Sequence, residues 1–160
     1  MIVVRYRVVC FDLYGTLVND DGTAVPGAAD ALALLPAPRW CVVTSCGTEF
    51  ARRLIVGAGL PLPHLLIGAE SVEHGKPAPD PYALAVRTLA VRTLAVNRSD
   101  AVVVEDSRQG IAAGRAAGLD VVAILDGRGL AFAREASYQV KRFADVRWSV
   151  QEDESIELRF

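Results

Sequence analysis

The sequence predicts an α/β domain whose mostly parallel sheet is covered by helices on both faces. Three observations carry that prediction. Residues 8–13, 40–44, 101–105 and 121–125 are almost continuously apolar, the pattern of strands buried on both faces. Segments with helical start and stop signals separate them, so strands and helices alternate along the chain. Polar residues close several of these runs, and right-handed crossovers bring such strand ends to one carboxyl edge, where ligands bind in sheets of this kind. A length of 160 residues suits one domain over 1–160 rather than two.

Taken in order, the apolar run 2–9 leads into a buried strand over 8–13 that carries Asp12 near its end. Asn19-Asp20-Asp21-Gly22 is a turn, and Asp-Gly signals a hairpin, so residues 14–25 should form a small flap. Helices are expected over 28–35, closed by Pro36 and Pro38, and over 49–56, ended by Gly57 or Gly59. A short strand follows at 65–67, then a long helix opened by Pro79 or Asp80, a loop at 97–100, and a helix over 111–117 stopped by Gly118. In the tail, residues 138–140 and the alternating patches 146–150 and 156–160 are expected as edge strands.

The long helix contains a verbatim tandem repeat: residues 84–88 read Leu-Ala-Val-Arg-Thr, and residues 89–93 read the same. Five residues turn a helix by about 500°, so each copy is rotated about 140° from the last. That period builds no amphipathic stripe. The segment therefore either bulges or forms a long helix through Val96 with Val86, Leu89, Ala90 and Thr93 toward the sheet. The repeat reads as a local duplication without catalytic meaning; a homodimer surface is the other reading.

Composition excludes several classes. A formal charge of -2 argues against nucleic-acid binding, which is built on basic surface. The apolar runs fall far short of the roughly 20 residues of a membrane span, and the amino terminus lacks a signal-peptide pattern. Cys10, Cys41 and Cys46 are odd in number and irregularly spaced, so free thiols in a reducing, cytoplasmic compartment are expected. His64 and His74 read as solvated, and the tail acids Glu152, Asp153, Glu154 and Glu157 as a solvated face.

Four polar clusters fall at or just after predicted strand ends: Asp12, Thr44-Ser45, Lys76 and Glu105-Asp106. Each alone has an ordinary structural reading as a turn, a cap or a loop residue. Together they meet a chemical specification. Three carboxylates can hold Mg²⁺, which takes oxygen ligands in a tight octahedron. A lysine neutralises a phosphoryl group, and a hydroxyl with helix-start N–H groups cradles phosphoryl oxygens. Asp12 would double as nucleophile.

These segments resemble the motifs of the haloacid dehalogenase superfamily, in the branch of sugar-phosphate phosphatases and phosphoglucomutase-type enzymes. Phe11-Asp12-Leu13-Tyr14-Gly15-Thr16-Leu17 is similar to the first motif and Val42-Val43-Thr44-Ser45 to the second. His74-Gly75-Lys76-Pro77-Ala78-Pro79-Asp80 is similar to the third, and residues 103–111, around Glu105-Asp106, to the fourth. The resemblance implies a three-layer Rossmann-like core and Mg²⁺ as cofactor. It implies Asp12 as nucleophile and metal ligand, the backbone carbonyl of Tyr14 as a second ligand, and Asp106, helped by Glu105, as the rest. Thr44 and the Ser45 amide would hold the phosphoryl oxygens, and Lys76 would stabilise the charge.

Two departures from the family pattern stand out. Tyr14 takes the place where its phosphatases keep an aspartate that protonates the leaving oxygen, assistance typically worth roughly 10²–10⁴-fold. A phenol, with an ordinary pKa around 10, is a poor base near neutrality. Dehalogenases of the superfamily share an Asp-x-Tyr-Gly-Thr pattern, but Glu105-Asp106 resembles the metal-using branch. The cap domain is also missing, because only nine residues separate Leu17 from Gly27. The expectation is a Mg²⁺-dependent phosphohydrolase with an open site. It would act through an aspartyl phosphate on a phosphorylated small molecule or an accessible carrier- or macromolecule-bound phosphate. A catalytically impaired binding protein is the alternative, and a 2-haloacid dehalogenase the minor one.

Overall fold

The computed structural model describes residues 1–93 and 96–160. In chain order the strands are β1 (Val3–Tyr6), β2 (Val8–Phe11), β3 (Trp40–Val43), β4 (Leu66–Ile67), β5 (Ala101–Glu105), β6 (Asp120–Ile124), β7 (Tyr138–Val140), β8 (Arg147–Val150) and β9 (Ile156–Arg159). The helices are α1 (Ala28–Leu34), α2 (Thr48–Gly57), α3 (Asp80–Thr93) and α4 (Arg108–Ala116). Six strands form a wholly parallel sheet in the order β4-β3-β2-β5-β6-β7. Every residue of β2, β3 and β5 is buried, as their unbroken apolar character requires.

Alternate side chains of these strands feed two cores. Val9, Phe11, Val42, Val102 and Val104 pack with α1, α2 and the tail, where Phe11 is ringed by Trp40, Phe143 and Trp148. On the other face Val8, Cys10, Cys41, Val43 and Val103 pack against α3 and α4. This is the expected three-layer arrangement. Strand β2 lies between β3 and β5, where the chain first crosses to the opposite side, so the residues following it stand at the switch point of the sheet.

Three expectations need correction. Of the expected tail edge strands only β7 edges the main sheet: β8 and β9 join β1, which ends where the chain breaks at Arg7, in a separate antiparallel sheet of order β1-β9-β8, with β9 at its centre. Glu157 is not on a solvated face. It is fully buried in central β9, opposite Arg5, and takes hydrogen bonds of 2.7 Å from Arg5 Nε and 2.6 Å from Arg159 Nε. These bonds, Arg5's the larger cause, hold its carboxyl below the usual range.

The third concerns the repeat. Helix α3 is continuous, and Tyr82, Ala85, Val86 and Leu89 make a buried stripe at i, i+3, i+4 and i+7. Three residues in every five of the repeat are apolar, so the sheet-facing positions are filled in either phase. The cost shows on the other side: Val86 is 7% exposed, whereas its duplicate Val91 is 80% exposed. The expected run of the helix through Leu94-Ala95 and the direction of the Thr93 side chain lie outside the described residues.

The flap forms where Asp-Gly signalled it. Val18 bridges both Tyr14 and Ala24, Asn19 N–H donates to Thr23 O, and Gly22 takes φ +84° at the turn. Among the described residues neither insertion point carries a cap. The first holds only this flap, and the second only α2, β4 and a short 3-10 turn. No helix among them is long and apolar enough to cross a membrane.

Candidate active site

The carboxyl edge of the parallel sheet gathers all the residues singled out by sequence. Asp12 follows β2, Thr44-Ser45 follow β3, Glu105 ends β5 and Asp106 follows it, and Lys76 reaches in from the loop before α3. Asp12, Tyr14, Thr44, Ser45, Lys76 and Asp106 line one open cavity of about 900 Å³. Glu105 lies beneath it, with no exposed surface.

Lys76 is the centre of the charge arrangement. Its Nζ donates to Asp12 Oδ1 at 2.7 Å, Glu105 Oε1 at 2.6 Å and Val43 O at 3.0 Å, and stands 5.1 Å from the Tyr82 ring centroid. Burial alone would lower its pKa, but the charges on Asp12 and Glu105 outweigh this and raise it. Lys76 therefore stays protonated and fixed, with its donors committed.

Glu105 is a buried hub. Besides Lys76, its Oε1 accepts from the Tyr82 hydroxyl at 2.8 Å. Its Oε2 accepts from Asp106 N–H at 3.1 Å, Ser107 N–H at 3.3 Å and Ser107 Oγ at 3.1 Å. Ser107 Oγ in turn accepts from Gly110 N–H and so caps α4. Helix α4 thus starts three residues earlier than the expected 111. Gly110 is required by this packing, because a Cβ there would lie 1.7 Å from Glu105 Oε1. Gly110→Ala should destabilise the fold by about 3 kcal/mol or more, read as a lower urea midpoint; an unchanged midpoint would refute the close packing.

Asp12 and Asp106 face each other across Thr16, whose Oγ1 lies 3.4 Å from a carboxylate oxygen of each. Gly15, at φ +77°, lets the flap root pass over Asp106; a Cβ there would meet Asp106 Oδ2 at 2.0 Å. Burial is the first cause raising the carboxyl pKa values of Asp12, Glu105 and Asp106, and Asp12 is pushed up to about 6 despite Lys76. The site is short of positive charge.

One oxygen from each of these three residues lies within 4.8 Å of the others. That all-oxygen donor set and the unneutralised charge fit a hard divalent cation such as Mg²⁺. Glu105 is fully buried and does not line the cavity, whereas Asp12 and Asp106 do, which leaves those two the better placed to bind it.

A family model for haloacid dehalogenase-like hydrolases matches residues 19–118, which contain Thr44, Lys76, Glu105 and Asp106. The chain belongs to that family. Among curated relatives, hexitol phosphatase A of Escherichia coli is 39% identical over 104 residues, 64% of this chain and 46% of that protein. Glycerol-1-phosphate phosphohydrolase 2 of Saccharomyces cerevisiae is 34% identical over 143 residues, covering 85% and 57%. The crystal structure of CbbY from Rhodobacter sphaeroides in complex with phosphate superposes with a TM-score of 0.62 at 29% identity, over 77% of this chain and 56% of that one. The chain spans about half the length of these curated relatives.

Two residues of the site, Tyr82 and Arg128, lie outside the four motifs. Tyr82 is reached only by the docking of α3, and no local pattern marks it. Arg128 carried a usable signal, since it lies in the turn directly after β6, at the same edge. Its Nη2 donates to Asp106 Oδ2 at 3.1 Å. His74, as expected, is exposed, with Nδ1 3.3 Å from Asp80 Oδ2.

Proposed function

We propose that this chain is the core of a Mg²⁺-dependent phosphohydrolase of the sugar-phosphate type that works through an aspartyl phosphate. The observation that carries the reading is the Lys76 bridge between Asp12 and Glu105. It fixes a protonated amine against a carboxylate that lines the open cavity of about 900 Å³. The resemblance of the chain to phosphatases acting on hexitol and glycerol phosphates supports the same chemistry.

In this reading an Asp12 oxygen bonds to phosphorus while the bridging P–O bond breaks, and the leaving oxygen departs as an anion that takes its proton from solvent water. Water then attacks phosphorus, releasing inorganic phosphate and restoring the Asp12 carboxylate. Thr44 and the Ser45 N–H hold the phosphoryl oxygens, and Lys76 offsets the charge on them. Asp12, Asp106 and the Tyr14 carbonyl would hold Mg²⁺, with Glu105 fixing Lys76 and the Asp106 loop. When bound, the ion supplies Lewis-acid charge to the phosphoryl group. No residue in the motif offers the usual leaving-group carboxylate, so acyl and aryl phosphates are the better substrates. The open cavity suits an accessible phosphate, including one on a carrier or macromolecule.

Purified protein should release phosphate from acetyl phosphate and phenyl phosphate only with Mg²⁺, and should bind fluoroberyllate as a mimic of the aspartyl phosphate. No release from either substrate, together with no fluoroberyllate complex, would refute the reading. Fluoroberyllate binding without turnover would favour the impaired binding protein, the reading to which Tyr14 points.

A further inference from the structure

We propose that Arg128 is a specificity residue that holds a second anionic group on the leaving part of the substrate. The preferred substrate is then a phosphate monoester whose leaving group bears a carboxylate or a phosphate of its own. The substrate class rests on the phosphohydrolase reading; the anion site itself does not.

Arg128 is held in a fixed plane by four contacts. Its Nε donates to Leu125 O at 3.1 Å, and its Nη2 donates to Asp106 Oδ2 at 3.1 Å and Ile124 O at 3.4 Å. Its guanidinium carbon lies 4.9 Å from the Phe132 ring centroid. These anchors use the inner edge of the guanidinium. Nη1 makes no hydrogen bond among the described residues, and the side chain is still 45% exposed. Lys76, in contrast, is 4% exposed, and both its carboxylate partners are buried.

Among the described residues lining the main cavity, four carboxylates (Asp12, Asp20, Asp106 and Asp126) face two cations, Lys76 and Arg128. Lys76 belongs to the reacting carboxylate, which leaves Arg128 as the cation with donors to offer. A single carboxylate, Asp106, separates it from Asp12. Beyond Arg128 the cavity continues into a groove between the first turn of α4 and Phe132, lined also by Arg108. The charge of the lining thus turns from acidic at the reacting end to basic at the outlet.

A neutral leaving group would leave the Nη1 edge to water. A carboxylate or phosphate seated there accepts charge-assisted hydrogen bonds from a guanidinium already oriented, so little side-chain entropy is lost. Because a planar guanidinium has five donors, it can keep Asp106 and hold the second anion at once. In a core without a cap, this outlet is where leaving-group selection can act.

The test compares phosphoglycolate, propanediol bisphosphate and glycerol phosphate at saturating Mg²⁺, in the wild-type chain, Arg128→Gln and Arg128→Lys. The first two probes separate a carboxylate from a second phosphate. At least one should exceed glycerol phosphate in kcat/KM by about tenfold or more. Arg128→Gln should erase that preference mainly through KM, and Arg128→Lys should keep part of it. An equal fall for all three substrates would overturn the proposal and leave Arg128 as a partner of Asp106 alone. The same probes titrated calorimetrically into the Asp12→Asn protein, with and without Arg128→Gln, decide the matter where turnover is absent. Tighter binding of an anionic probe, lost with Arg128, supports the site even if the hydrolase reading fails; equal affinities overturn it.

Discussion

Asp12→Asn is expected to lower metal-dependent phosphate release by about three orders of magnitude or more, while making the metal-free protein more stable. The amide cannot form the acyl phosphate bond, so what remains is catalysis by the phosphoryl-binding groups alone. The stability gain follows from the site's charge. The Asp12 carboxyl is pushed from an ordinary value near 3.8 up to about 6, with burial the first cause and the Asp106 charge adding to it against Lys76. Below about pH 4 the carboxyl is protonated in both the folded and the unfolded chain, and nothing is lost. As pH rises toward about 6 the unfolded chain releases its proton while the folded chain keeps it, so folding weakens. Above about 6 the full penalty, of order 2–3 kcal/mol, is present.

The advantage of Asp12→Asn in chelator-treated protein should therefore grow as pH rises from about 4 to about 6 and then level off. Urea unfolding of both chains at several pH values measures it. Mg²⁺ should narrow or reverse the difference, because the variant lacks one of the carboxylate ligands and binds the ion more weakly. A pH-independent difference would show that the Asp12 carboxyl is not held up by burial.

Tyr14→Asp is expected to raise hydrolysis of alkyl phosphates such as glycerol phosphate by about one order of magnitude or more. Tyr14 lies at the root of the flap, half-buried, and lines the cavity beside Asp12. A carboxyl group there can protonate a leaving alkoxide and then accept a proton from the attacking water. Phenyl phosphate should gain less, because its phenolate leaves without help. The diagnostic is thus the ratio of alkyl to aryl rates, since a general change in folding or metal affinity moves both together. If neither rate changes, the open pocket and not the missing carboxylate limits turnover. A larger gain for the aryl ester would exclude the acid role.

The carboxylates, the lysine and the hydroxyl of the site were legible because their signals are local. Strands β2, β3, β5 and β6 are buried on both faces, so each appears as an unbroken apolar run, and a parallel sheet puts all their carboxyl ends on one edge. Asp12, Thr44-Ser45 and Glu105-Asp106 stand at those ends, and the flap is announced by Asp-Gly. No comparable local signal marks Tyr82, whose bond to Glu105 exists only because α3 docks on the sheet.

The order of strands and helices and the residue types at the carboxyl edge of the sheet are thus set locally, because both follow from which side chains must leave water. The tertiary structure decided the partners. It split the first apolar run between two sheets at Arg7, and it placed Glu157 opposite Arg5 in β9, where one acid is paired by two arginines instead of facing solvent. It chose which phase of the repeat faces the core, separating two identical valines into buried Val86 and exposed Val91. It also turned Arg128 back onto Asp106. Each outcome depends on register and packing between segments far apart in the chain, and hydrophobic periodicity, being local, is the same for every such pairing.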